Sequence, residues 1–394
     1  MTPLAVVLTV LCGLVALVWS TRHMMIWREN AKSEPLTAAS PGPPAEAPKI
    51  SVIVAAKDEQ ENIETCLRTM LVQDYPNFEL ICADDRSDDA TGEIADRLAA
   101  EDPRLKVVHV KDLRAGWAGK CNAMRQAIAA ADGQWICMID ADCRQTSDRT
   151  LSVAIQHALD RGSDMLSVLP RLEMKGFWEN AIQPVCSGVM LIWFHPEKVN
   201  NPRRRNAYAN GAFMLIRRET YLAIGGHETV KDKLNEDMHM AAAVKHGGHK
   251  LRVARGESLY TVRMYTSLGA ILKGWSRIFY GTFGTLKRLS LSLTVMLVMG
   301  LLPYLTAILG LSLAAAGARP TGWWLAAGLV GAAAGAMQLS VIYRYLGLIG
   351  GRRGLFWTYP LGAAVASVIL IQSLGKLRRG AQVTWRNTRY AGGN

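Results

Sequence analysis

The chain has 394 residues, half of them hydrophobic, and a formal net charge of +12. This length allows two or more domains, and the positive mean hydropathy of +0.09 disfavours a purely soluble enzyme. The seven cysteines form no Cys-x-x-Cys pair, which argues against a zinc site. The basic residues flank apolar stretches, so the charge indicates contact with a lipid bilayer, and no nucleic-acid partner is expected.

The first apolar stretch predicts a transmembrane anchor at residues 1–21. Arg22 and Arg28 follow this stretch, so the positive-inside rule places the part of the chain after Arg22 in the cytoplasm. A cleaved signal peptide is the alternative, but the basic region that normally precedes its apolar core is missing. Residues 22–48 are assigned as a linker, since much of this stretch is proline and alanine.

Predicted strands and helices alternate over residues 49–267, which indicates an α/β domain. The apolar run that begins at Trp135 predicts a central strand of a parallel sheet, and ligands bind beyond the carboxyl ends of such strands. Asp140 and Asp142 end this run, with side chains on the same side of an extended chain. Their hard oxygens suit Mg²⁺ or Mn²⁺ carrying a phosphate. An Asp-x-Asp pattern also occurs in solvated turns, so the metal site depends on its context.

That context is a series of acidic sites at the ends of predicted strands and helices. Asp84-Asp85 follows the second strand, and Glu236-Asp237 opens a late helix. The loop Gly119-Lys120 comes shortly before the Asp140 strand. Three acidic sites in this order, with a lysine before the second, are a more specific signal than any one of them.

Beyond residue 267 the sequence indicates membrane contact. Three segments are assigned there: an amphipathic interfacial segment at 268–288 with Trp275 and Arg277, about three transmembrane helices at 289–378, and a basic tail at 379–394. The last apolar segment either crosses the membrane or re-enters near Pro360. Its flanking charges leave both alternatives open.

These motifs resemble glycosyltransferase family 2 over about residues 49–285. The matching stretches are Val52–Glu59, Gln73–Pro76, Asp84–Thr91, Gly116–Lys120, Asp140–Asp142 and Asn235–Asp237. In layout, the membrane-bound members that act on lipids, such as ceramide glucosyltransferases and hopanoid- or carotenoid-associated enzymes, are the most similar.

The resemblance implies a GT-A fold, inversion at the anomeric carbon, Mn²⁺ or Mg²⁺, and a nucleotide-sugar donor, expected to be a UDP-sugar. It also implies roles for six carboxylates: Asp84 and Asp85 at the nucleotide base, Asp140 and Asp142 at the ribose and the metal–diphosphate, and Asp237 as the catalytic base with Glu236 beside it. Asp237 has an alternative explanation, because the dipole at a helix N-terminus favours a carboxylate there without any catalytic role.

Three further residues have expected roles, and two of them, Lys120 and Trp275, have an alternative interpretation. Lys120 is expected to add positive charge beside the diphosphate, or to be a surface lysine at a helix start. Trp275 and Arg277 lie where processive and ceramide-type relatives carry a Gln/Arg-x-x-Arg-Trp motif, but their order here differs. They would close the site over donor and acceptor, or Trp275 would anchor the chain at the membrane interface.

The sequence therefore predicts a multi-pass protein of the cell membrane with a cytoplasmic catalytic domain. Its expected activity is the transfer of one sugar from a nucleotide-sugar to a membrane lipid hydroxyl at the cytosolic face. One alternative is a processive polysaccharide synthase, which would need a longer pore and an intact product-gripping motif. The other is a non-catalytic protein on a transferase scaffold, which should have lost a carboxylate site. The oligomeric state is not predicted.

Overall fold

The computed structural model describes residues 2–32, 35–256, 258–378, 382–385 and 388–391. The strands in these ranges are β1 (Ile50–Ala56), β2 (Phe78–Asp84), β3 (Leu105–His109), β4 (Trp135–Asp140), β5 (Cys143–Gln145), β6 (Met165–Leu169), β7 (Arg171–Leu172), β8 (Met214–Arg217), β9 (Leu251–Arg255), β10 (Tyr260–Val262), β11 (Gln382–Trp385) and β12 (Thr388–Ala391). The predicted basic tail at 379–394 includes β11 and β12, which pair antiparallel, and its other residues lie outside the described ranges.

The helices are α1 (Thr2–Lys32), α2 (Ile63–Leu71), α3 (Thr91–Glu101), α4 (Gly119–Ala129), α5 (Thr150–Asp160), α6 (Phe177–Trp193), α7 (Pro196–Asn200), α8 (Arg218–Ala223), α9 (Glu236–His246), α10 (Leu268–Phe283), α11 (Leu286–Val295), α12 (Leu302–Ala315), α13 (Thr321–Ile349) and α14 (Tyr359–Gly375). A π-helical segment, Met296–Leu301, joins α11 to α12, and short 3-10 turns lie at Gly226–Glu228 and Arg353–Thr358. Helix α1 continues past the predicted anchor end at residue 21 and is described as far as Lys32.

The main sheet has the strand order β3-β2-β1-β4-β8-β6-β9, and a smaller sheet has the order β5-β10-β7. Strand β4 is central, but it pairs parallel with β1 and antiparallel with β8. The sheet is therefore mixed, and the expectation of a purely parallel sheet is wrong. A continuous apolar run records burial on both faces of a strand, and it contains no information about the direction of the neighbouring strands.

Both faces of this sheet are covered. Val52 and Val54 of β1 face one hydrophobic cluster, and Ile53 between them faces another. Successive side chains of a strand point to opposite faces, so both sets must be apolar for a strand buried on both sides. This burial aligns the carboxyl ends of β1, β2 and β4 at one edge of the domain, where the acidic residues follow.

Among the residues that the structure describes, four helical segments are long and apolar enough to cross a membrane: Pro3–Met25, Leu286–Ala315, Thr321–Ile349 and Arg353–Gly375. They agree with the predicted N-terminal anchor and C-terminal helix cluster. The backbone carbonyl of Met299 connects three of these segments. Pro303, four residues later, has no N–H to donate to this oxygen, so it can accept hydrogen bonds from other helices. Nε2 of Gln338 on α13 donates to this oxygen at 2.7 Å, and Nε1 of Trp19 on α1 donates to it at 3.2 Å.

Helices α6 and α10 connect the sheet domain to the membrane helices. Both pack with α14 in one hydrophobic cluster, where a Cβ on Gly362 would lie 2.0 Å from the carbonyl oxygen of Ala181. Ser373 of α14 donates a hydrogen bond of 3.0 Å to the carbonyl of Ser276 in α10. The domain and the apolar helices are therefore in direct contact.

Candidate active site

A cavity of about 660 Å³ lies beyond the carboxyl end of β4. Its polar lining comes from parts of the chain that are far apart in sequence and includes Lys57, Glu59, Lys120, Asp140, Asp142, Asn210, Asn235, Glu236, Asp237, Lys273, Arg277 and Thr282. The structure thus brings together two of the three predicted acidic sites and the predicted lysine.

Lys120, at the start of α4, is the positive centre of this group. Its Nζ lies 2.6 Å from Oδ1 of Asp140 and 2.5 Å from Oε1 of Glu236. Burial opposes the charge of Lys120, but Asp140, Glu236 and Asp237 together hold the pKa of its ammonium well above the ordinary value. With a side chain only 17% exposed, Lys120 is not the surface lysine of the alternative reading.

Asp237 follows Glu236 in the first turn of α9. Its Oδ2 accepts a hydrogen bond of 2.9 Å from the backbone N–H of Gly211, and its Oδ1 accepts one of 2.7 Å from the N–H of Met238. Burial and the neighbouring charge of Glu236 raise the pKa of Asp237 to about 7. A carboxyl with this pKa can accept a proton near neutral pH.

Gly211 is a site residue that the sequence reasoning did not identify. A Cβ at this position would lie 3.2 Å from Nζ of Lys120, 3.3 Å from Oδ2 of Asp140 and 3.5 Å from Oδ2 of Asp237. Three charged groups therefore converge on one glycine. The only signal in the sequence was the pair Asn210-Gly211 just before a predicted strand, which reads as an ordinary turn.

Asp142 is partly buried, and its buried Oδ1 has no hydrogen-bond partner. Burial, with the charges of Asp140 and Glu59, raises the pKa of Asp142 to about 7. An unpartnered buried carboxylate oxygen is costly unless a cation or donor compensates it. This oxygen is the observation that fits a cation at the site.

The donor set suits a cation that is shared with a substrate. Within the described ranges, no group of three or more His, Cys, Asp or Glu side chains is arranged to hold a metal ion. Mg²⁺ is often held by only one or two carboxylates together with substrate phosphates and water. Asp140 and Asp142 are the residues that would hold such a cation.

Asp84 and Asp85 do not line the cavity. Asp84 accepts a hydrogen bond of 3.2 Å from the N–H of Ser87 and lies 3.3 Å from Nδ1 of His109. Asp85 pairs with Arg86 at 2.8 Å, and its buried Oδ2 has no hydrogen-bond partner. Burial raises the pKa of Asp85. Their contact with a nucleotide base stays a prediction.

Trp275 and Arg277 line the cavity from α10. Trp275 is only 4% exposed, packs against Phe279 with ring centroids 5.5 Å apart, and has an indole N–H without a partner. Arg277 donates to the hydroxyl of Tyr265 at 3.3 Å. The closing role of Trp275 and Arg277 stays a prediction.

The same cavity also has an apolar lining. It is lined by side chains of β7, α6 and its following loop, and α13: Leu172, Met190, Leu191, Phe194, Tyr345 and Ile349. Helix α13 is one of the four segments that could cross a membrane. One cavity therefore contacts both the carboxylate cluster and a candidate membrane helix.

Comparison with known proteins gives a consistent result. Residues 51–225 match the family model described as glycosyl transferase family 2. The 4,4'-diaponeurosporenoate glycosyltransferase of Staphylococcus aureus is 26% identical over 268 residues, 67% of this chain and 68% of that protein. The beta-monoglucosyldiacylglycerol synthase of Trichormus variabilis is 30% identical over 193 residues, 48% of this chain and 40% of that protein.

Among solved structures, a mannosyltransferase from Pyrobaculum calidifontis, in complex with GDP-Man and Mn²⁺, shares the fold. It is 18% identical, the match covers 93% of this chain and 98% of that one, and the TM-score is 0.54. This likeness confirms the predicted GT-A fold.

Proposed function

We propose that this chain, a glycosyltransferase with a family 2 domain at residues 51–225, transfers one sugar from a nucleotide-sugar to a hydroxyl of a membrane lipid. The transfer would invert the configuration at the anomeric carbon. The reaction would occur at the cytosolic face of the cell membrane, in which several of the apolar helices span the bilayer. Both relatives compared above have lipid-related names, which supports a lipid acceptor.

The observation that carries this proposal is the continuity of the cavity. Asp237 lines one part of it, and Leu191 of α6 and Ile349 of α13 line another. An acceptor in this cavity would have its hydroxyl among carboxylates and its apolar part beside helices suited to a bilayer. A water-soluble acceptor would have no apolar part to place against these apolar side chains.

Asp237 is the residue we assign as catalytic base. An inverting transfer needs a group that removes the acceptor proton while the hydroxyl attacks the anomeric carbon from the face opposite the leaving group. A well-placed base contributes typically ~10²–10⁴-fold in rate. The hydrogen bond from Gly211 fixes the carboxylate, and Glu236, paired with Lys120, lies beside it.

At the donor end, Asp140 and Asp142 would hold Mn²⁺ or Mg²⁺. When bound, such a cation stabilises negative charge that develops on the leaving diphosphate. Lys120 contributes a second positive charge beside Asp140. A UDP-sugar stays the expected donor. Asp84 and Asp85 would be close to its base, and Trp275 and Arg277 would close the site.

The test uses detergent-purified protein with Mn²⁺ or Mg²⁺, a panel of UDP-, GDP- and dTDP-sugars, and membrane lipid extract as acceptor. We expect one donor to yield a lipid product that carries a single sugar, and Asp237→Asn to abolish it. A polymeric product would favour the polysaccharide synthase instead. If no donor is bound or consumed, the proposal is wrong and the non-catalytic alternative takes its place.

A further inference from the structure

Asn235 stands immediately before the two carboxylates at the start of α9, at the N-cap position. Asparagine is among the best N-caps because its side chain normally accepts a hydrogen bond from the second or third N–H of the helix. Here it makes no such bond. Its side chain is instead directed to another helix.

That helix is α10. Nδ2 of Asn235 donates to the carbonyl of Ile278 at 3.1 Å and to Oγ1 of Thr282 at 2.7 Å. Asn235 is only 9% exposed, and it lines the cavity together with Ile278 and Thr282. One turn further along α9, His239 hydrogen-bonds to the backbone of Gly281. Helix α9 is thus attached to α10 at two successive turns.

Gly281 permits this contact. A Cβ on Gly281 would lie 2.8 Å from Oδ1, 2.9 Å from Cγ and 3.1 Å from Nδ2 of Asn235, so a larger residue must displace the Asn235 side chain. Another glycine of the same helix, Gly269, has no atom within 4 Å of the corresponding position. The close approach is therefore specific to the point where Asn235 docks.

Helix α10 is in turn fixed to the membrane helices. Gly284 follows its last residue, in the left-handed region with φ +57°, and α11 begins two residues later as part of the candidate span Leu286–Ala315. Lys376, at the end of α14, donates to Oγ of Ser276 at 2.6 Å. Helix α10 is held from both sides by segments suited to a bilayer.

We propose that Asn235 and Gly281 are positioning residues that fix Asp237 relative to α10, and through it relative to the bilayer that delivers the acceptor. This inference rests on the proposed function of Asp237 as the base. Asp140 and Asp142, which are proposed to bind the donor side, follow β4, whereas Asp237 lies on α9, whose N-cap residue contacts α10. Beside the hydrogen bond from Gly211 and the ion pair of Lys120 with Glu236, the Asn235 contact is the one that relates the base to α10.

The test compares Gly281→Ala, Asn235→Ala and their double variant with Gly269→Ala as the matched control. Each protein is assayed for donor affinity, donor hydrolysis and transfer to lipid extract. We expect Gly281→Ala and Asn235→Ala each to lower kcat about 10–100-fold, because small misplacements of a reacting group have effects of this size. Donor KM and nucleotide affinity should stay within about twofold, and Gly269→Ala should behave as wild type.

The double variant separates positioning from general damage. Without the Asn235 side chain, the new methyl group at residue 281 has nothing to displace, so the double variant should lose no more kcat than Asn235→Ala alone. Wild-type kcat in Gly281→Ala would overturn the inference. So would equal losses of kcat and donor affinity, or strictly additive losses in the double variant.

The design also distinguishes this inference from the proposed function. If wild-type protein hydrolyses a donor but transfers no sugar to lipid, the lipid acceptor is wrong, while the effect of Gly281→Ala on hydrolysis still tests the positioning of Asp237. If wild-type protein transfers sugar to lipid and the Gly281→Ala variant does so at the full rate, the lipid acceptor is supported and the positioning role of Asn235 and Gly281 is wrong.

Discussion

Nζ of Lys120 and Oδ1 of Asp140 lie 2.6 Å apart, and this ion pair joins the end of β4 to the start of α4. The same ammonium neutralises Glu236, whose side chain is only 4% exposed. Donor-side and acceptor-side carboxylates therefore share one counter-charge. A substitution of Lys120 should therefore alter the electrostatic environment of both Asp140 and Glu236.

Lys120→Met keeps most of the side-chain volume and removes the charge. We expect it to lower the free energy of unfolding by about 3 kcal/mol, since it leaves Glu236 as an uncompensated buried charge. Activity should fall at least 100-fold. Thermal unfolding and donor turnover measure the two effects. In Lys120→Met/Glu236→Gln, much of the stability should return and the activity should not; recovery of activity would contradict a role for Lys120 in the reaction.

The pKa of Asp237, raised to about 7, predicts the pH dependence of the reaction. The base must be deprotonated, so log kcat/KM for transfer should rise with unit slope below pH 7 and level off above it. A profile that is flat between pH 5.5 and 8 would exclude Asp237 as a base with this pKa.

The same shift predicts a stability effect of opposite sign. The pKa of Asp237 in the folded chain lies above the value of about 3.9 for an unfolded chain, so the folded state binds the proton more tightly. Its contribution to stability is complete below pH 4 and is lost as pH rises through 7. Asp237→Asn should therefore raise Tm relative to wild type at pH 8 and leave it nearly unchanged at pH 4.

Asp142 allows a metal test that does not depend on activity. Its unpartnered Oδ1 should make Mn²⁺ raise the Tm of wild-type protein, with saturation as the site fills. Asp142→Asn should abolish this shift, while Glu93→Gln, in the first turn of α3, should retain it as a control for net charge. A Tm shift of equal size in Asp142→Asn would place the cation elsewhere.

The carbonyl of Met299 provides a prediction for the membrane helices. Gln338→Leu removes the donor at 2.7 Å from this oxygen, and the expected loss is roughly 0.6–2 kcal/mol, as for other hydrogen bonds between membrane helices. The detergent-solubilised protein should unfold at lower temperature with unchanged donor KM. Adding Pro303→Leu, which restores an N–H to the helix, should recover part of the loss; a further decrease would argue against this explanation.

The order of strands and helices and the position of the site were predictable, because they depend on local patterns. The apolar runs of β1, β2 and β4 and the carboxylates at their ends are visible in sequence. What could not be predicted is which distant segments meet there. Between Asp140 and Gly211 lie three helices and three strands, and further elements precede Asn235. The roles of Gly211 and Asn235 depend on contacts that the periodicity of the sequence does not indicate.

The direction of β8 was missed for a similar reason. A four-residue apolar strand pairs equally well in either direction, and the turn that sets its direction lies outside it. The burial of Asp84 and Asp85 away from the cavity could also not be predicted, because a run of acidic residues after a strand does not indicate how deeply each side chain is buried. Such features depend on tertiary packing rather than on local propensity.

The most direct test of the account is transfer of a labelled sugar from the active nucleotide-sugar to membrane lipid extract, with wild-type protein and Asp237→Asn compared at pH 8 in the presence of Mn²⁺. The account predicts a product in the lipid phase with one sugar per lipid, at least 100-fold less of it with Asp237→Asn, and unchanged donor binding in that variant. Full transfer by Asp237→Asn would contradict the assignment of the base and, with it, the proposed mechanism.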